Sequence, residues 1–107
     1  MSRVEFHTPE IKAPDRVKTD EEFNLEVEIG PYPNTLGHSI RRVELYFYEE
    51  VREFNPILLA TVSLTPTYVE PRIRMSLRLR KSGVVYTIGY CDYHRLLEAR
   101  KRIEVES

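Results

Sequence analysis

Residues 23–29 read Phe-Asn-Leu-Glu-Val-Glu-Ile, so that every second side chain is apolar. A repeat of two places the apolar side chains on one face of a β-strand, whereas an amphipathic helix needs a repeat near 3.6. The same alternation recurs around residues 43–47, 58–64, 73–79 and 103–105. Residues 84–90, Val-Val-Tyr-Thr-Ile-Gly-Tyr, are apolar enough for a strand that is covered on both faces. The sequence therefore predicts an all-β protein.

Pairs of turn-forming residues separate these runs, among them Gly30-Pro31, Asn55-Pro56 and Ser82-Gly83. Six or seven strands without a long helical segment predict an immunoglobulin-like antiparallel β-sandwich of about seven strands. A short helical turn is compatible only with residues 93–101. The 107 residues contain no repeat or linker, so we expect one domain spanning 1–107.

The composition argues against several classes of function. The chain is 31% charged with a net charge of −1, which gives no electrostatic basis for binding nucleic acid or an anionic membrane. The arginines between residues 72 and 80 alternate with apolar residues, as is typical of the solvent face of a strand. No run approaches the roughly 20 apolar residues of a membrane span, and no signal peptide is recognisable. A single cysteine cannot form an internal disulfide, so a cytoplasmic location is expected.

The chain has three histidines and one cysteine, and all four lie at the ends of β-patterned segments. His7 lies near the N-terminus, His38 ends a loop that two prolines stiffen, and Cys91 and His94 form a Cys-x-x-His pair before the last strand. Imidazole and thiolate groups bind iron and zinc, so the four residues are candidates for one metal site. Taken singly, each has a simpler explanation, as a buried apolar cysteine or as a surface histidine.

Four short motifs occur in a characteristic order: His-x-Pro at 7–9, Pro-Asn-Thr-x-x-His-x-Ile at 33–40, Arg-x-x-Glu-Leu-Tyr at 41–46 and Tyr-Cys-x-x-His at 90–94. In this order the chain resembles, from about residue 5 to residue 105, the superoxide reductases, also called neelaredoxins or the iron-binding domain of desulfoferrodoxin. The resemblance implies a mononuclear non-haem iron between loops at one end of an immunoglobulin-like sandwich. It also implies reduction of superoxide to hydrogen peroxide with electrons from a rubredoxin-type donor, and assembly into homodimers or homotetramers.

The same resemblance implies a role for each candidate ligand. By position, His7, His38 and His94 would be equatorial ligands of the iron. Cys91 would be the axial thiolate opposite the position where superoxide reacts. Glu5 would occupy that position in the ferric resting state.

Two departures from the family pattern matter most. Tyr32 stands where the family has a second equatorial histidine, and Phe6 stands where it has a lysine that attracts superoxide. Loss of that charge should slow superoxide capture, with Lys12 and Lys18 as the nearest substitutes in the sequence.

Tyr32 leaves three interpretations open. Its phenolate could ligate and hold iron in the ferric state, since a metal ion strongly lowers the proton affinity of an oxygen ligand. It could instead swing out and leave a three-histidine, one-cysteine set that suits zinc as well as iron. It could also pack on the end of the sandwich. The alternative to a reductase is therefore a diverged module that binds zinc or ferric iron without reductase activity, and a metal-free interaction domain is the third hypothesis.

Overall fold

The computed structural model describes residues 9–30, 34–91 and 95–107, except for the side chain of residue 95. Within these ranges the chain forms eight strands: β1 (Pro9–Lys12), β2 (Arg16–Lys18), β3 (Phe23–Ile29), β4 (Ile40–Glu49), β5 (Ile57–Ser63), β6 (Arg72–Leu77), β7 (Gly83–Cys91) and β8 (Arg95–Glu106). The described segments contain no helix of the length and hydropathy needed to cross a membrane. The short helical turn is wrong for residues 95–101, because these residues pair with β7 as part of β8.

The strands form the two layers of a sandwich. One sheet has the order β1-β3-β6, and the other has the order β2-β8-β7-β4-β5. The pairing is antiparallel except between β2 and β8, which run parallel. The predicted immunoglobulin-like antiparallel sandwich is thus confirmed. The extra parallel pair involves β2, whose three residues are too short to show a period in the sequence.

The core lies between the two sheets and takes alternate residues from both. Leu25 and Val27 of β3, Leu45 and Phe47 of β4, and Val85 of β7 are all at most 1% exposed. Burying a Val, Leu or Phe side chain of this kind stabilises the fold by about 1.5–3 kcal/mol. The period of two in the sequence therefore corresponds to a real inner face.

Irregularities interrupt this alternation where β4 pairs with its neighbours. Ile40 and Val43 are both buried although they are three residues apart, and the β4–β7 register shifts between Ile40 and Arg42. A bulge adds one residue to one strand and so exchanges the faces of the residues beyond it. A second shift lies between β4 and β5, where Leu58 is 55% exposed while its neighbour Leu59 packs against the core. The simple alternation predicted for 58–64 is wrong at that point, because the shift changes which residues face inward.

The outer face of the three-stranded sheet carries cross-strand ion pairs. Arg72 and Arg74 of β6 lie 3.5 and 3.3 Å from the carboxylates of Glu28 and Glu26 on β3. Each such exposed pair contributes at most about 1 kcal/mol. The prediction that these arginines form the solvent face of a strand is confirmed.

Gly83 is the first residue of β7 and offers a test of the packing at the start of that strand. A Cβ added there would lie 2.1 Å from the backbone oxygen of Tyr48 and 2.8 Å from Cζ of Phe47, and a backbone oxygen cannot move aside cheaply. We expect Gly83→Ala to lower the free energy of unfolding by about 1–3 kcal/mol. Gly37→Ala is the matched control, since no atom of the described structure lies within 4 Å of a Cβ there. Urea unfolding of both variants measures the difference, and equal midpoints would contradict the packing described.

Candidate metal centre

Two of the candidate ligands, His38 and Cys91, lie at the same end of the five-stranded sheet. Cys91 is the last residue of β7 and pairs with Ile40, the first residue of β4. His38 precedes Ile40 by two residues. Strand pairing therefore places the loop that carries the imidazole beside the strand end that carries the thiol.

A tight turn fixes the chain around His38. The backbone amides of Thr35 and His38 each donate to the other's carbonyl, at 3.1 and 3.2 Å, with residues 36–37 at the tip. Nη2 of Arg41 donates to the carbonyl of Leu36 at 3.1 Å. Asn34, with a φ of 54°, accepts a hydrogen bond from the backbone amide of Thr67 at 2.9 Å through its side chain. The His38 turn is therefore tied to β4 and to the loop between β5 and β6.

Both candidate donor atoms belong to the protein interior. Cys91 is 7% exposed and is part of the hydrophobic core. The Nε2 atom of His38 is buried although the residue as a whole is partly exposed. A thiol and an imidazole at one sheet end form a donor set that suits a transition metal such as iron, so these residues fit the implied ion.

The other candidate site residues lie outside the described residues: Glu5, His7, Tyr32 and His94. For this reason the described part of the chain brings together no group of three His, Cys, Asp or Glu side chains that could hold a metal. The convergence of the full ligand set stays a prediction.

The described residues next to His7 and His94 in the sequence lie at one end of the sandwich. Pro9, two residues after His7, pairs with Ile29. Ile29 packs over β7 near its end, since a Cβ on Gly89 would lie 2.6 Å from the Cδ1 atom of Ile29. Beyond residues 92–94, β8 begins opposite Cys91. Pro9 and Arg95, the described residues nearest in sequence to His7 and His94, therefore lie close to the end where Cys91 lies.

Lys12 is a poor substitute for the missing lysine. Its ammonium donates to Oε1 of Glu28 at 3.1 Å. This hydrogen bond and the negative charge of Glu28 raise the pKa of Lys12, while the same hydrogen bond and the positive charge of Lys12 lower the pKa of Glu28. A lysine already paired with a carboxylate contributes little attraction for an anionic substrate.

A polar cluster covers the outer face of the sheet beside Cys91. Glu44 accepts hydrogen bonds from the hydroxyls of Tyr46 and Tyr90, at 2.7 and 3.0 Å. Nε of Arg42 lies 3.3 Å from Oε2 of Glu44, and the Arg42 guanidinium lies 4.0 Å from the centre of the Tyr90 ring. The hydrogen bond from Tyr46 is the main cause that lowers the pKa of the Glu44 carboxyl, against the opposing effect of burial.

Glu44, Tyr46 and Tyr90 belong to the shared sequence motifs, which indicate no role for them, and Arg42 lies at a variable position of its motif. The sequence feature that indicates the bulge is the spacing of the apolar residues Ile40 and Val43. Both are buried, and two buried residues three apart in a β-strand require a bulge between them. The partners of the bulge residues could not be read from the sequence, since they lie on β7.

Residues 1–100 match the family model described as desulfoferrodoxin. The chain belongs to the desulfoferrodoxin family. This confirms the resemblance that the four sequence motifs predicted.

The relatives of this desulfoferrodoxin-family chain carry the names superoxide reductase or neelaredoxin. The superoxide reductase of Pyrococcus abyssi is 36% identical over 106 residues, which cover 94% of this chain and 89% of the relative. The neelaredoxin of Megalodesulfovibrio gigas is 26% identical over 119 residues, which cover 97% and 91%. Among solved structures, the superoxide reductase (neelaredoxin) of Ignicoccus hospitalis superposes with a TM-score of 0.91 at 55% identity, covering 94% of this chain and 81% of that one.

Proposed function

We propose that this chain reduces superoxide to hydrogen peroxide at a mononuclear non-haem iron. His7, His38 and His94 would hold this iron through their imidazoles, and Cys91 would hold it through its thiolate. Glu5 is the proposed ligand of the ferric resting state. The family and the names of the relatives support this function, and they do not favour the zinc-binding alternative.

One structural observation carries the proposal. His38 and Cys91, far apart in the sequence, lie at one end of one sheet because Ile40 pairs with Cys91. The described flanks of the segments that hold His7, Tyr32 and His94 lie at that same end. A shared location of this kind is what a single metal centre requires.

Bound iron would supply the single electron that superoxide accepts, and two protons complete hydrogen peroxide. The chain's own residues prepare this reaction. Cys91 offers a sulfur ligand from within the core, where water has little access. The His38 turn offers an imidazole on a backbone that Arg41 and Asn34 hold in place. Hydrogen bonds to the segments that carry metal ligands orient those ligands and so tune the metal.

Turnover also requires a source of electrons. With one cysteine, the chain cannot bind a second iron centre through four thiolates. The proposed partner is therefore a separate one-electron carrier of the rubredoxin type. We also propose a cytoplasmic location, a single domain over 1–107, and a homodimer or homotetramer.

Pulse radiolysis of the iron-loaded, reduced protein tests the proposed function. The protein is purified without air and without metals from an affinity column, and its iron content is measured first. We expect superoxide to decay much faster than in buffer, and the oxidised protein to regain its reduced state when reduced rubredoxin is added. Superoxide decay at the buffer rate by protein with full iron content would contradict the proposal. Failure of rubredoxin alone to reduce the protein would contradict only the choice of donor.

A further inference from the structure

The bulge at the start of β4 contacts both described ligand segments. The register shift lies between Ile40 and Arg42, opposite the end of β7. β-Bulges are frequent beside active sites, where they redirect side chains. In this chain the bulge leaves Arg41 and Arg42 outside the core, and the two arginines reach in different directions.

Arg41 reaches the His38 turn. Its Nη2 donates to the carbonyl of Leu36 at 3.1 Å, at the tip of the turn. Its backbone carbonyl accepts from the amide of Leu64 at 2.9 Å, which fixes the strand from the other side. The same residue therefore links β4, the segment after β5 and the loop that carries His38.

Arg42 reaches the residue before Cys91. Its guanidinium stacks 4.0 Å from the centre of the Tyr90 ring, and its Nε lies 3.3 Å from Oε2 of Glu44. The Tyr90 hydroxyl donates to Oε1 of the same carboxylate at 3.0 Å. The Glu44 side chain is only 15% exposed, so its carboxylate is shielded from solvent, whereas the Arg42 side chain is 44% exposed. Together the two residues hold the ring at both its face and its hydroxyl.

The geometry points to the Arg41–Arg42 bulge as a clamp that positions His38 and Cys91 for one metal ion. Arg41 holds the turn of His38, while Arg42 and Glu44 hold Tyr90 next to Cys91. These are positioning residues, since they act through their neighbours and do not contact the metal. The inference rests on the proposed function and adds residues that determine how well the chain binds the metal.

The physical reason lies in the alternation of β7. Cys91 faces the core and Tyr90 faces the opposite side of the sheet, so anchoring the Tyr90 ring fixes the orientation of the strand at the thiol. Beyond Cys91, the next described residue is Arg95, which pairs back with Cys91. The Tyr90 anchor therefore adds to the backbone pairing and the core packing that also hold Cys91. Loss of an outer partner of a metal ligand typically costs 10–100-fold in metal affinity.

β7 itself supplies a matched control four residues away. Tyr86 also donates its hydroxyl to a glutamate, Glu98, and also lies near an arginine, Arg100, whose Cζ is 5.9 Å from the ring centre. Tyr86 faces the same side of the sheet, but it lies opposite Tyr46 and away from the strand end. Tyr90→Phe and Tyr86→Phe thus remove similar contacts, of which only one adjoins Cys91.

Cobalt(II) titration of the two variants tests the clamp, with Co²⁺ in place of iron because thiolate-bound Co²⁺ has a near-ultraviolet charge-transfer band. We expect Tyr90→Phe to weaken Co²⁺ binding about 10-fold and to shift this band, whereas Tyr86→Phe should do neither. Urea unfolding of the metal-free proteins provides the structural measurement. In the urea measurement we expect the two variants to lose similar stability. A difference in Co²⁺ binding would then reflect the positioning of Cys91 and not general packing.

Three outcomes would count against the clamp. Equal Co²⁺ affinity and an unshifted band for Tyr90→Phe would overturn it while leaving the proposed function intact. Absence of a thiolate band in wild-type protein would overturn the proposed function and the clamp together. If Tyr90→Phe fails to fold, Arg42→Met provides the same test against Arg100→Met, and equal Co²⁺ spectra for those two variants would overturn the clamp.

Discussion

Replacing Cys91 with serine should abolish the iron-dependent consumption of superoxide. Cys91 is the only cysteine in the chain, so the variant contains no thiolate ligand at all. A neutral hydroxyl is a much poorer ligand than a thiolate for a soft or borderline metal ion. Because the loss concerns a ligand itself, we expect a larger effect than the roughly 10–100-fold that an outer partner costs. Pulse radiolysis of the reduced iron form measures the rate, and the visible spectrum of the ferric form should lose its thiolate band.

The control for this variant must account for a polar group placed in the core. Cys91 is 7% exposed, and burying a hydroxyl without a partner costs about 1–3 kcal/mol. Val85→Thr introduces a hydroxyl at another buried position of β7 and leaves the candidate ligands unchanged. If Val85→Thr loses stability but keeps its spectrum and reactivity, the effect of Cys91→Ser belongs to the metal centre. A Cys91→Ser variant that retains full activity would show that the thiolate is not a ligand.

The strands could be predicted from the sequence because burial on one face imposes a period of two. Phe23 to Ile29 is the clearest example, since its four apolar residues are all buried in the structure. The three-residue β2 could not be predicted, because its pairing with β8 depends on backbone contacts between distant parts of the chain. The partners of the bulge residues could not be predicted for a related reason: they lie on a neighbouring strand, which local alternation does not record.

The candidate site was predicted in a different way. The positions of His38 and Cys91 were recognised through their motifs, and strand pairing places them at one end as expected. The cluster around Glu44 could not be derived, because its hydrogen bonds join residues 44 and 90 across two strands. Short motifs identify residues that donate atoms to a metal, whereas the residues that hold those donors depend on the fold.

Replacing Tyr32 with histidine should increase both iron affinity and reactivity with superoxide. The substitution restores the histidine that the family pattern has at this position, and so completes the proposed four-histidine, one-cysteine ligand set. A phenol is a poor ligand for ferrous iron, but its phenolate binds ferric iron well and so opposes the return to the reactive ferrous state. We expect Tyr32→His to raise iron affinity by at least about tenfold, since loss of even an outer partner of a metal ligand typically costs 10–100-fold. If Tyr32 ligates in the wild type, the substitution should also remove a phenolate band from the ferric spectrum.

Tyr68→His provides the control, because Tyr68 is an 85% exposed tyrosine in the loop that Asn34 contacts. It adds an imidazole near the same end of the fold without entering the proposed ligand set. A gain in iron affinity for Tyr32→His but not for Tyr68→His would show that the position, and not the added imidazole, is responsible. Unchanged iron content and an unchanged spectrum for Tyr32→His would show that Tyr32 lies outside the site. In that case three histidines and Cys91 would have to sustain the chemistry, and the loss of the family's lysine at Phe6 would be the more important departure.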